Sequence, residues 1–92
     1  MQESYSMEYR LVEVIWRDAE EHGTVGWNDI DDMLAYAKNP CPTMHSIGYV
    51  VYEDEFHIAL ARCIGKEQMS TVEKIPLGFV SEVRELTYRK RK

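Results

Sequence analysis

The chain has 92 residues, 45% of them hydrophobic, with two cysteines and a formal net charge of −5. That length gives one domain, and an ordinary globular share of apolar residues excludes a disordered body. Arg89, Lys90, Arg91 and Lys92 are all basic, so the rest carries −9; that charge repels phosphate backbones and disfavours general nucleic-acid binding by the body.

Residues 1–8 read as a flexible lead. Met1 to Ser6 shows no basic segment followed by an apolar one, the pattern of an export signal. The longest stretch without charged residues, Asn39 to Tyr52, is shorter than the roughly 18 residues a membrane span needs. The expectation is a soluble, cytoplasmic protein that does not engage a membrane, with Cys41 and Cys63 as free thiols.

Tyr9 to Arg17 alternates with period two, Val12, Val14 and Trp16 against Glu13, Ile15 and Arg17, and predicts a first strand. Asp18 to Gly26 is polar, holds two glycines and reads as a loop. Trp27 to Lys38 predicts a short helix. Asn28 is the expected cap, Asp29, Asp31 and Asp32 suit the positive end of the helix dipole, and Ile30, Met33, Leu34 and Ala37 share one face. Pro40 ends the helix. Ser46 to Glu53 predicts a second strand that is apolar on both faces, a sign of burial on both sides or of a partner on one. Asp54 and Glu55 suit a tight turn into a third strand, Phe56 to Cys63. Thr71 to Ile75 and Phe79 to Leu86 complete the set, with Val83 and Leu86 expected to be buried. Residues 87–92 form a basic tail, expected to be solvated.

The expected architecture is mainly β (α+β): one domain over residues 9–86, a small five-stranded bent sheet or barrel with one short helix between strands 1 and 2. An open edge on such a sheet makes a homo-oligomer plausible on physical grounds.

Four features carry a further comparison: Trp16-Arg17-Asp18, Gly26-Trp27 leading into an acidic helix, Ser46-Ile47-Gly48-Tyr49 opening a hairpin, and Ile75-Pro76 before a last strand. In these the chain resembles a group of small uncharacterised bacteriophage and prophage proteins, over roughly residues 9–86. The strand order also looks like that of Sm-like and SH3-like small β-barrels. The first resemblance implies a phage-type protein acting in a host cytoplasm; neither supplies a catalytic residue to carry over.

Chemistry-bearing groups are sparse. Cys41, His45, His57 and Cys63 make a nominal zinc set, but His57 and Cys63 on one strand would stand about 20 Å apart, so no metal site is expected. Asp18, Glu20, Glu21 and His22, with Ser46 or Ser81, would be the parts of a small hydrolase; no nucleophile-elbow, zincin or phosphate-loop motif accompanies them. Trp16, Trp27, Tyr36, Tyr49, Tyr52 and Phe56 are expected mainly to fill the core, with Trp27 and Tyr52 the best placed for exposure. Those two, with Arg62, Lys66 and Arg84, are the candidate ligand-binding set: aromatic faces for stacking and cations for phosphates. The resulting expectation is a non-enzymatic, cofactor-free binding module that sequesters a host nucleotide signal or inhibits a host protein. The alternatives are an Sm-like RNA-binding ring using Arg89, Lys90, Arg91 and Lys92, and a small hydrolase.

Overall fold

The computed structural model describes residues 9–87, and the expected lead 1–8 and the basic run Arg89–Lys92 lie outside the described residues. Five strands, β1 (Leu11–Arg17), β2 (Thr43–Glu53), β3 (His57–Ala61), β4 (Val72–Pro76) and β5 (Val80–Glu85), form one antiparallel sheet in the order β4-β3-β2-β1-β5. One helix, α1 (Ile30–Lys38), lies between β1 and β2, and a 3-10 turn, Leu77–Phe79, joins β4 to β5. The protein is thus mainly β. The sheet is open: β4 and β5 are its two edges and do not pair with each other, so the barrel version of the expected architecture is not formed.

Alternation decides which side chains meet. Val12 and Val14 of β1, Ile58 and Leu60 of β3 and Ile75 of β4 are buried and form one cluster, with Trp16, Val50, Leu77 and Val80 packed against it. Trp16 also donates Nε1–H to Ser46 Oγ at 3.0 Å, so the indole is anchored at its polar end as well. Ala59 and Ala61 are buried on the opposite face, where their size leaves room for neighbouring strands' larger side chains. Val83, expected in the core, is 37% exposed, because its edge strand has a neighbour on one side only. Phe56 is likewise exposed, at the tip of the β2–β3 hairpin.

Gly48 is buried at the closest approach of β2 and β3. A Cβ there would lie 2.9 Å from the Ala61 carbonyl oxygen and 3.1 Å from Leu60 Cβ. No side chain fits against a backbone oxygen at that distance, so glycine is what lets β3 cross β2 so closely. A Gly48→Ala variant will lose about 1–3 kcal/mol, the range for overpacking a filled site. Gly78→Ala, where a Cβ meets nothing within 4 Å, will unfold near the parent's urea midpoint.

The β2–β3 turn is held by one carboxylate. Asp54 Oδ1 accepts from the Phe56 and His57 backbone N–H groups at 2.8 and 3.0 Å, and Oδ2 accepts from the Tyr52 hydroxyl at 3.0 Å. The Phe56 and His57 N–H bonds, then Tyr52 and the nearby His57, hold its pKa below the usual carboxylate value. A carboxyl group with a lowered native pKa stabilises the fold above its unfolded pKa of about 4, and that contribution is lost as pH falls through the native value. Asp54→Asn will therefore be less stable than the parent at pH 6, and the gap between their denaturation midpoints will close as the solution is acidified below pH about 4.

Candidate binding surfaces

Two parts of the chain depart from a closed, self-satisfied sheet. The first is the connection between β1 and β2, residues 18–42, which projects as an arm. Its neck is pinned where Asp18 N–H donates to the Pro42 carbonyl at 3.0 Å, beside the Arg17–Thr43 pair of the strands. Within the arm Asn28, expected as the helix cap, instead knits the preceding loop: its Oδ1 accepts from Thr24 N–H (3.0 Å) and Thr24 Oγ1 (3.2 Å), and its Nδ2 donates to the Thr24 carbonyl (3.1 Å). The cap falls to Asp29, whose carboxylate accepts from Asp32 N–H at 3.1 Å. The loop turns at Gly23 and Gly26, both with positive φ, which suits residues without a Cβ. His22 stacks on Tyr36 with ring centroids 4.8 Å apart and closes a cleft of about 680 Å³ against α1. The Tyr36 hydroxyl is out of water and makes no hydrogen bond; that burial first, and then the negative Glu20, pushes its pKa up.

No residue of α1 is buried. The apolar face read from Ile30, Met33, Leu34 and Ala37 does not pack on the sheet. Val25 and Trp27 are fully exposed, Ile30 is 72% exposed and Leu34 52%. Ile30 and Leu34, four residues apart, lie along one side of α1, and Val25 and Trp27 stand in the loop that precedes it.

The second departure lies where β3 leaves β2. The two strands pair only from Tyr49↔Ala61 to Glu53↔Ile58, so the first half of β2 has a partner on β1 alone. Beyond Ala61 the chain turns toward β4. Ser70 Oγ accepts from both Arg62 N–H (3.0 Å) and Cys63 N–H (3.2 Å), and the Cys63 carbonyl accepts from Ser70 N–H (2.8 Å). A straight β3 would present that carbonyl to Ile47. Instead a wedge opens, of about 560 Å³, lined by His45, Ile47, Arg62, Val72 and Glu73 among others. Behind His45, Glu13 of β1, whose side chain is only 19% exposed, accepts from His45 Nδ1 at 2.8 Å and faces Arg84 Nη1 at 3.8 Å.

The five residues singled out from sequence do not share one cleft. Arg62 lines the wedge, and Lys66 lies in the separate concavity of the Cys63–Ser70 loop. Tyr52 sits near the end of β2, at the hairpin, its hydroxyl on Asp54 and its ring tilted against His57 at 5.5 Å. Trp27 is on the arm. Arg84, on β5, is engaged by Glu82 at 2.9 Å and by Glu13, which together push its pKa up. The tail Arg89–Lys92 lies outside the described residues. The parts of the suggested hydrolase are also apart: His22 rests on Tyr36 in the arm, and Ser46 accepts from Trp16 on the sheet. Among the described residues no group of three or more His, Cys, Asp and Glu is placed to hold a metal ion, and Cys41 and Cys63 are free and exposed. No helix among them is long and apolar enough to cross a membrane.

Sequence reading missed His45 with Glu13. The signal was weak: both stand in alternating strands, and only the β1–β2 register, with Glu13 opposite Ile47 and Ile15 opposite His45, brings them side by side. No family model, no curated protein and no solved structure matches the chain.

Replacing Ser70 with Ala will remove the acceptor that draws Arg62 and Cys63 toward β4. It will cost about 1 kcal/mol and speed exchange of those two backbone amides, measured by NMR.

Proposed function

We propose that this chain is a protein-binding module whose arm is the contact element. The observation that carries the reading is the set of four exposed large apolar side chains on the arm, Val25 and Trp27 in the loop before α1 and Ile30 and Leu34 on α1, which has no buried residue. An apolar set of this kind has no folding role in the isolated chain, and contiguous exposed apolar surface marks interaction sites. Trp is also the residue type that most often anchors an interface.

The surroundings narrow the partner. Glu20, Glu21, Asp29, Asp31 and Asp32 lie on the arm, against Lys38 as its one cation. A complementary surface is an apolar groove rimmed by Lys or Arg, which accepts these side chains as anchors and steers the acidic arm toward it. The dispersal of Trp27, Tyr52, Arg62, Lys66 and Arg84 favours this protein-directed form of binding over enclosure of a nucleotide by those residues. The expected role in a host cell, against a host protein, fits the same reading.

The double variant Trp27→Ser, Leu34→Ser tests it. Both positions are exposed, so stability will stay within about 0.5 kcal/mol of the parent. Tagged parent and variant proteins, exposed to lysate of the cells that carry the gene, will differ in one respect: a protein retained stoichiometrically by the parent will be absent from the variant. Equal retention by both, or retention of nothing by either, contradicts the assignment.

A further inference from the structure

The wedge beside β2 has its own geometry, independent of the arm. The hydrogen-bond parity of β2 follows from one contact: Val50 N–H donates to the Arg10 carbonyl at 2.8 Å. In an antiparallel ladder the residues bonded to a given neighbour alternate. Ser46 and Gly48 therefore bond to β1, and His45 and Ile47 direct their N–H and C=O groups the other way, into the wedge. The Cys63 carbonyl, the group a continuing β3 would offer them, is committed to Ser70. An unpaired strand edge with its amide groups aligned is a template for another strand.

We propose that this wedge is a strand-addition site for an extended peptide segment of a partner protein. The segment pairs its backbone with His45 and Ile47 and sets an aliphatic side chain beside Ile47, which is 58% exposed, and Val72, which is 43% exposed. The wedge has a wall on each side, β2 on one and Thr71–Glu73 on the other. A strand that already belongs to a sheet would bring its neighbours into the second wall, so an isolated segment is the occupant that fits. Charge adds a second selection. Arg62 and Glu73 both line the wedge, and neither forms an ion pair among the described residues. The segment matches them with one acidic and one basic residue, alternating with aliphatic ones as the period of a strand requires.

The test uses the capped peptide acetyl-Thr-Val-Asp-Val-Lys-amide as probe and nitrogen-15 NMR of the full chain as readout. On titration the His45 and Ile47 amides will shift and gain protection from exchange, while the arm residues Trp27 and Leu34 stay unchanged. The same peptide N-methylated at alternate residues, which removes the backbone donors, will bind at least about tenfold more weakly, a difference of roughly 1.4 kcal/mol. Arg62→Glu with Glu73→Lys, both at exposed positions, will weaken the parent peptide and favour its charge-reversed counterpart. Four results overturn the proposal: no peptide of the set binds; the N-methylated peptide binds equally well; only Arg62 responds, the mark of simple anion binding; or His45 and Ile47 are protected before peptide is added and lose protection on dilution, the mark of a second copy in the wedge.

Discussion

The structure depends on the close crossing of β3 over β2 at Gly48. With the Ala61 carbonyl oxygen 2.9 Å from where a Cβ would stand, the two strands meet tightly at one place and nowhere beyond it. On one side of that crossing β3 pairs with β2 and contributes Ile58 and Leu60 to the core. On the other it is turned away by Ser70, which collects the Arg62 and Cys63 amides and gives its own N–H to the Cys63 carbonyl. A single small residue and a single hydroxyl therefore decide that the first half of β2 keeps an open edge. The wedge is a consequence of how the core is packed.

The arm follows from a different balance. A core of Val12, Val14, Ile58, Leu60 and Ile75 is complete without α1, so nothing in the sheet competes to cover Ile30 or Leu34. The arm holds its own shape through local contacts: Asn28 across the glycine loop, Asp29 at the helix start, His22 on Tyr36. Such contacts order a short element without burying its apolar side. Local polar order with an uncovered Trp27 is the combination that makes the arm a contact element. The ion pairs elsewhere, Arg10 with Glu53 and Glu85 or Arg84 with Glu82, lie between partly exposed side chains and add little to stability.

Much of the fold was legible in the sequence because strands announce themselves by alternation. Val12 and Val14 lie where period-two reading placed them, Ile58 and Leu60 lie within the expected third strand, and β4 ends at Pro76, one residue beyond the expected end at Ile75. The failures have physical causes. Helical spacing shows that Ile30, Met33, Leu34 and Ala37 share a face, but spacing carries no information about whether another element reaches that face. Asn28 and Asp29 are both good caps, and the choice between them was made by Thr24, a contact across the glycine loop. Val83 has a core residue's identity but sits on an edge strand, which depends on sheet order. Candidate site residues were chosen by side-chain type, whereas the wedge is made largely of backbone groups freed by Ser70, which no residue-type pattern encodes. The His45–Glu13 contact depends on register in the same way.

Residue-resolved amide exchange of the free protein tests the central claim most directly, because the account assigns alternate amides of one strand to opposite fates. Ser46 and Gly48, bonded to β1, should exchange slowly together with the amides of the core strands, and His45 and Ile47, in the same strand, should exchange at rates close to those of the exposed arm. Uniform protection from His45 to Gly48 would contradict the open edge and, with it, the wedge as a site.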